Sequence, residues 1–248
     1  MSFQNRKNKI LQLVREHGEV NIKELSAATG ASGITIRRDL QVLAEDGLIF
    51  RTHGGAMKPD LVKTPVDFIN KVARHISEKD QICRRAVQLI EEGDTLFMDC
   101  GSTVFRLCGL IRHMDVRVIT NSLPVVHELM GSTVRLNLIG GELDKMRQAM
   151  HGSIAVEHIG RYHANKAFVG VDGISAAKGL SASSEKEAEI TMAMAANSSQ
   201  TYLLCDASKV GRDSYLQFAD IDILSALVTN EKTESVLKIQ EKGLPVLI

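Results

Sequence analysis

Apolar residues at Ile10, Leu11 and Val14 are spaced for one stripe of a helix running from Asn5 to His17, with Gly18 placed to end it. Ile22, Leu25 and Ala28 recur every three residues, and Asn21 stands where it would cap this second short helix, with Gly30 as its exit. A third helix starts near Ser32, keeps Ile36, Leu40 and Leu43 on one side and stops at Gly47. Three short helices cannot hide their stripes alone, so the pattern predicts that they pack on each other. The tract LIFRTHGGAM that follows reads as a short strand, a glycine turn and a second extended piece, a β-hairpin wing.

Beyond it the period is lost. MKPDLVKTPVD carries Pro59 and Pro65, and the stretch to about residue 74 reads as a linker. A different pattern then takes over. Short apolar runs recur at TLFMD (95–99), VRVIT (116–120), VRLNLIG (134–140), KAFVGV (166–171), TYLLCD (201–206), ALVT (226–229) and PVLI (245–248), continuous enough to lie in a covered sheet. Helical spacing lies between them: Ile82, Ala86 and Leu89, with Ser77 and Asp80 in capping-box spacing, and the stretch from Glu185 to Ser199. Alternating strands and helices predict an α/β fold with a mainly parallel sheet. The expected organisation is a three-helix head with a wing in 1–57, a linker in 58–74 and an α/β domain in 75–248.

Composition changes this picture in one respect. The 248 residues carry 30 Lys+Arg and 30 Asp+Glu, a net charge of zero that would argue against a polyanionic partner if it were evenly spread. It is not: residues 1–58 hold nine basic and six acidic groups, so the head is +3 and the remainder −3. No apolar run approaches the ~18 residues of a membrane span, and MSFQNRKNK has no apolar stretch behind its charges, so a cytoplasmic protein is expected. The cysteines Cys83, Cys100, Cys108 and Cys205 form no CxxC pair, which predicts reduced, mostly buried thiols and no zinc site.

At about 100° per residue, with Ile36 facing inward, Ile34, Arg38 and Gln41 point to solvent and Arg37 flanks them. Arg can bind guanine O6 and N7 bidentately, Gln can pair with adenine and an exposed Ile can meet a thymine methyl. Ser32, Gly33, Ile34, Thr35, Arg37, Arg38 and Gln41 are therefore the expected DNA-reading set. The basic start of the first helix, Arg51 and His53 are expected near phosphates. Asp39, turned partly inward, is expected to pair with an arginine of the same domain. The string Thr35-Ile36-Arg37-Arg38-Asp39-Leu40, then Leu43, Gly47 and His53-Gly54-Gly55, resembles the winged helix-turn-helix of the DeoR family. The resemblance, over about residues 3–57, implies a DNA-binding transcriptional regulator, a repressor of carbohydrate catabolism, acting on double-stranded operator DNA; a +3 head makes few phosphate contacts, so a homodimer or homotetramer on repeated half-sites is expected.

Polar or glycine clusters follow five predicted strands: Asp99-Cys100-Gly101-Ser102-Thr103, Thr120-Asn121-Ser122, Gly140-Gly141, Asp172-Gly173 and Asp206-Ala207-Ser208-Lys209. Ligands of open α/β sheets bind beyond the carboxyl ends of strands. A Gly-Ser-Thr turn at a helix start suits a phosphate, Asp and Asn suit sugar hydroxyls, and Lys209 adds positive charge. The expected effector site is Asp99, Gly101, Ser102, Thr103, Asn121, Ser122, Gly140, Gly141, Asp172, Gly173, Glu185, Asp206 and Lys209. This half resembles the DeoR effector domain and, more distantly, ribose-5-phosphate isomerase, which implies a phosphorylated sugar as ligand. Ser175 stands where the isomerase motif has its second acid, and Leu180-Ser181-Ala182-Ser183-Ser184 replaces its glycine run. Proton transfer needs a base held within hydrogen-bond reach, so a sensor is expected and an isomerase attached to a DNA-binding head is the alternative. No metalloprotease, nucleophile-elbow, P-loop or dinucleotide motif occurs, and no catalytic residue, metal or cofactor is expected.

Overall fold

The computed structural model describes residues 3–45, 48–51, 54–57 and 66–248, Arg51 by its backbone alone. It divides into two compact units, Met1–Arg74 and His75–Ile248.

The first unit runs α1 (Phe3–His17), β1 (Glu19–Asn21), α2 (Ile22–Thr29), α3 (Gly33–Glu45), β2 (Phe50–Arg51), β3 (Gly55–Met57) and α4 (Val66–Ala73). Its core is built from the predicted stripes: Ile10, Val14, Leu25, Ile36, Leu40 and Leu43, joined by Val20, Ile49 and Ala56. Asn21 caps α2 reciprocally with Glu24, and Gly30 ends it in the left-handed region at φ 70°. Ala28, expected on the inner stripe, is exposed; Thr29 is buried instead and returns its hydroxyl to Leu25 O at 2.7 Å. The wing is wider than expected, with strand order β1-β3-β2. Three residues are too few to show a strand period, so β1 is silent in the sequence. Its partner explains one glycine of the His53-Gly54-Gly55 run: a Cβ at Gly55 would lie 2.1 Å from Val20 O, inside the ladder. Helix α4 occupies part of the stretch read as linker.

The second unit comprises α5 (Ile76–Ala86), β4 (Thr95–Met98), α6 (Ser102–Ile111), β5 (Arg117–Thr120), α7 (Leu123–Leu129), β6 (Arg135–Leu138), β7 (Glu142–Asp144), β8 (Ala149–His151), α8 (Ser153–Ile159), β9 (Ala164–Val169), β10 (Gly173–Ser175), β11 (Gly179–Ala182), α9 (Glu185–Ala196), β12 (Ser198–Leu204), β13 (Leu216–Ala219), β14 (Ala226–Val228), α10 (Glu234–Glu241) and β15 (Val246–Leu247). Seven strands form one parallel sheet, ordered β15-β14-β12-β9-β4-β5-β6, and they are the seven apolar runs of the sequence. Alternate residues feed two cores: Phe97, Ile119, Val169, Leu203 and Leu227 on one face, Met98, Val118, Phe168, Leu204 and Val228 on the other. A sheet covered on both sides loses its polar alternation, which is why those runs read as continuous.

Two features differ from expectation. Ser77 and Asp80 do not cap α5, which begins at Ile76 after His75 at φ 52°; Asp80 lies inside the helix and pairs with Arg106 at 2.6 Å. The small sheets β7-β8 and β10-β11-β13 were not expected, because strands of three or four residues broken by glycines carry no period.

Candidate functional site

In the first unit α3 presents the predicted face. Ile34 is 78% exposed while Ile36 is fully buried two residues on. Arg37, Arg38 and Gln41 are exposed along the same side. Ile34 therefore lies outside the buried core, on the outer side of α3. Ser32 and Thr35 are tied into the helix start, their hydroxyls 3.0 Å apart. Gly33 is not demanded by packing, since a Cβ there would meet Ile22 Cγ2 at an ordinary 3.5 Å.

Asp39 is buried and accepts from Arg6 Nε at 2.6 Å and Nη2 at 3.1 Å, the pairing expected within the domain. Its hydrogen bond raises the Arg6 guanidinium above its ordinary value. This corrects one expectation: Arg6, the first cation of α1, is committed to α3 and is not available as a phosphate contact. The side chain of Arg51 and all of His53 lie outside the described residues. Replacing Arg38 by alanine is expected to weaken specific operator binding by roughly 1–3 kcal/mol with folding intact, read by gel-shift titration; unchanged affinity would refute this docking face.

In the second unit the strand order reverses between β4 and β9, and this switch point is where an open α/β sheet leaves a crevice at its carboxyl edge. Asp99 is buried at the end of β4, beside this switch point. Its carboxylate accepts Gly101 N at 2.7 Å and Gly170 N at 2.5 Å, so one side chain ties the ends of β4 and β9 together. A Cβ at Gly101 would lie 2.8 Å from Asp99 Oδ1, which is why the turn needs glycine there. Burial pushes the Asp99 carboxyl up to about 6, against the opposing pull of the two N–H groups, Lys209 and Arg147.

The other predicted positions divide by what their polar groups already do. Lys209, after β12, donates to Val171 O at 2.8 Å, and Asp206 accepts from Ser208 N at 3.2 Å and from the Ser208 hydroxyl. Asp172 accepts Ser183 N at 2.9 Å. Ser102 is partly exposed at the start of α6, with Thr103 buried behind it. Ser122 is buried and caps α7, while Asn121 is buried and donates to Met150 O at 2.9 Å. Gly141 is packed into the fold, since a Cβ there would lie 2.6 Å from His151 O; Gly140 N donates to His158 Nδ1 at 3.1 Å. Gly173 is buried within β10.

Glu185 is exposed at the start of α9, and the carboxylate that reaches the cluster is Glu187, two residues further on. Its partner Arg147, in the turn between β7 and β8, was not foreseen. Arg147 pairs with Glu187 at 2.7 Å, stands 3.8 Å from Asp172 and is among the charges acting on Asp99 and Cys100. The available signal was two basic residues, Lys145 and Arg147, shortly after the Gly140-Gly141 turn, in a hairpin that periodicity does not reveal. Burial raises every cysteine thiol, Cys83, Cys108 and Cys205 to about 12, so none is a ready nucleophile. Among the described residues no group of three His, Cys, Asp or Glu is placed to hold a metal ion, and no helix is long and apolar enough to cross a membrane.

Comparison with known proteins adds an independent line. Residues 74–231 match the family described as the DeoR C terminal sensor domain, and residues 6–61 match the DeoR-like helix-turn-helix domain. The chain is 33% identical over 251 residues to a lactose phosphotransferase system repressor of Staphylococcus epidermidis, covering 96% of this chain and 99% of that one. It is 34% identical over 233 residues to the glycerol-3-phosphate regulon repressor of Escherichia coli K12, covering 93% and 92% respectively. Among solved structures, ribose 5-phosphate isomerase A of Methanocaldococcus jannaschii aligns with 53% of this chain and 52% of that one, at 19% identity and a TM-score of 0.39.

Proposed function

Because the chain belongs to the DeoR family of DNA-binding transcriptional regulators, we propose that it represses an operon for carbohydrate use and is released from its operator by a phosphorylated sugar seated at the strand ends of residues 75–248. In this reading residues 1–57 are the DNA-reading head and 58–74 the connection. The observation that carries the effector site is the convergence of Asp99, Gly101, Ser102, Asp172 and Lys209 at the switch point between β4 and β9. The Ser102 end of α6 supplies N–H groups for a phosphate, and the carboxylates suit sugar hydroxyls. The head's surplus of three positive charges gives few phosphate contacts, so we place two or four copies on repeated half-sites, acting in the cytoplasm. A full switch from 1:99 to 99:1 requires the effector to favour the released state by about 5.5 kcal/mol.

We read the domain as a sensor and not as an isomerase. Ser175 replaces the second acid of the isomerase motif, and its hydroxyl donates to Asp213 at 2.6 Å. Glu185 is exposed to solvent, where a proton-abstracting carboxylate gains no activation from burial. The experiment is a thermal-shift panel of phosphorylated sugars run beside a turnover assay on the same compounds. The effector at 100 times its Kd is expected to stabilise the protein by about 2.7 kcal/mol, Lys209→Ala to bind DNA without responding to it, and no compound to be turned over. Turnover would make the isomerase reading correct, and a normal response from K209A would displace the crevice.

A further inference from the structure

The strand-end cluster holds more negative than positive charge: Asp99, Asp172, Asp206 and Glu187 stand against Arg147 and Lys209. A phosphate entering it is repelled unless a cation changes partner. Resting on the effector reading above, we propose that Arg147 is the receptor for the effector's anion and that Glu187 is a built-in competitor occupying it until the effector arrives.

The geometry of Arg147 suits this exchange. Its backbone is held in a tight turn, with Met146 N and Arg147 N donating to Asp144 Oδ1 at 2.8 and 3.0 Å and Gln148 following at φ 53°. From that anchor the guanidinium meets Glu187 in a fork, Nε to Oε1 at 2.7 Å and Nη2 to Oε2 at 2.8 Å. Both side chains are mostly buried, so solvent screens the pair less than a surface pair. A phosphate presents the same two-oxygen edge to a guanidinium and adds a third acceptor within reach of other donors. When it takes the fork, Glu187 is released and the hairpin β7-β8 loses a buried ionic link to α9. The other ion pair between them, Lys186 with Glu142 at 2.7 Å, is half-exposed or more on both sides and of little strength.

The seat of the hairpin points the same way. Hairpin and β5 end are joined by Met150 N to Asn121 O at 2.8 Å and Leu123 N to Gln148 O at 2.9 Å. Along that seam Asn121 is fully buried and His151 only 1% exposed, with the His151 ring bonded to the backbone of Ala149, and burial lowers the imidazole below its ordinary value. The backbone bonds seat the hairpin on β5, and the Arg147–Glu187 fork ties its turn to α9.

The test uses the full chain, with inorganic phosphate, glycerol 3-phosphate and ribose 5-phosphate as probes, measured by calorimetry and thermal shift on wild type, E187Q, R147Q and K209A. Removing the competitor is expected to tighten binding of the phosphate probes about tenfold in E187Q, and removing the receptor to weaken it tenfold or more in R147Q. Glu187→Asp, which keeps the charge but shortens the reach, is expected between wild type and E187Q and serves if E187Q does not fold. A pair with only a structural role would lower the melting temperature of both variants and tighten binding in neither, which overturns the proposal. Loss of binding in K209A with wild-type binding in E187Q and R147Q overturns it as well, while leaving the crevice in place. No binding of any probe to wild type at about 10 mM sinks both readings.

Discussion

Leu40→Ala is expected to destabilise the DNA-reading unit by about 2–5 kcal/mol and to abolish operator binding. Leu40 is fully buried in a core that, among the described residues, comprises Ile10, Val14, Val20, Leu25, Ile36, Leu40, Leu43, Ile49 and Ala56. A unit this small buries a low share of its surface and has little stability to lose, so the loss is comparable with its whole margin. The cavity lies under α3, between the helix that carries Ile34, Arg37, Arg38 and Gln41 and its supports. Gel-shift titration and urea melts of the full chain provide the measurement. A variant with wild-type operator affinity would show that the stripe of α3 does not hold the reading face in place.

The second large effect is a dependence on pH carried by Asp99. Its carboxyl is pushed up to about 6 by burial, from an ordinary value near 4 when unfolded. Between those values the folded chain holds a proton that the unfolded chain has lost. The stability this group contributes is therefore fully present below about pH 4 and is lost as the pH rises through about 6, by up to about 3 kcal/mol. Asp99→Asn removes the titration while keeping the shape, so the wild type is expected to lose stability relative to D99N over that window. Denaturant melts of the two proteins from pH 4 to 7 measure the difference. Parallel curves would mean that Asp99 is charged throughout and that its two N–H partners outweigh burial.

The contrast between Asp39 and Asp99 shows how far residue types can be read without coordinates. Asp39 sits about 60° from the core direction of a helix whose period is plain, so its need for an internal cation follows from local geometry, and Arg6 supplies it at 2.6 Å. Asp99 was recognisable as a strand-end residue. Its bond to Gly170, 71 residues away, depends on β4 and β9 being neighbours, which no local pattern states. Arg147 was harder still, since it acts from a hairpin of two three-residue strands and its partner Glu187 lies 40 residues on. Glu185 is singled out only by its place in a resemblance, yet a helix turns about 200° over two residues and sends Glu185 and Glu187 in different directions.

The sequence by itself determined the reading helix, its inward stripe and outward face, the capped helix before it, and the seven strands of the sheet with the clusters that follow them. These depend on period and on neighbours within a few residues, which the chain writes locally. Tertiary structure alone decided the strand order, the switch point between β4 and β9, the joining of Asp99 to Gly170 and the clasp of Arg147 on Glu187. Each is a contact between segments far apart in the chain, chosen by how two hydrophobic faces of one sheet are covered, and a residue's place in such a contact leaves no mark on the residues beside it.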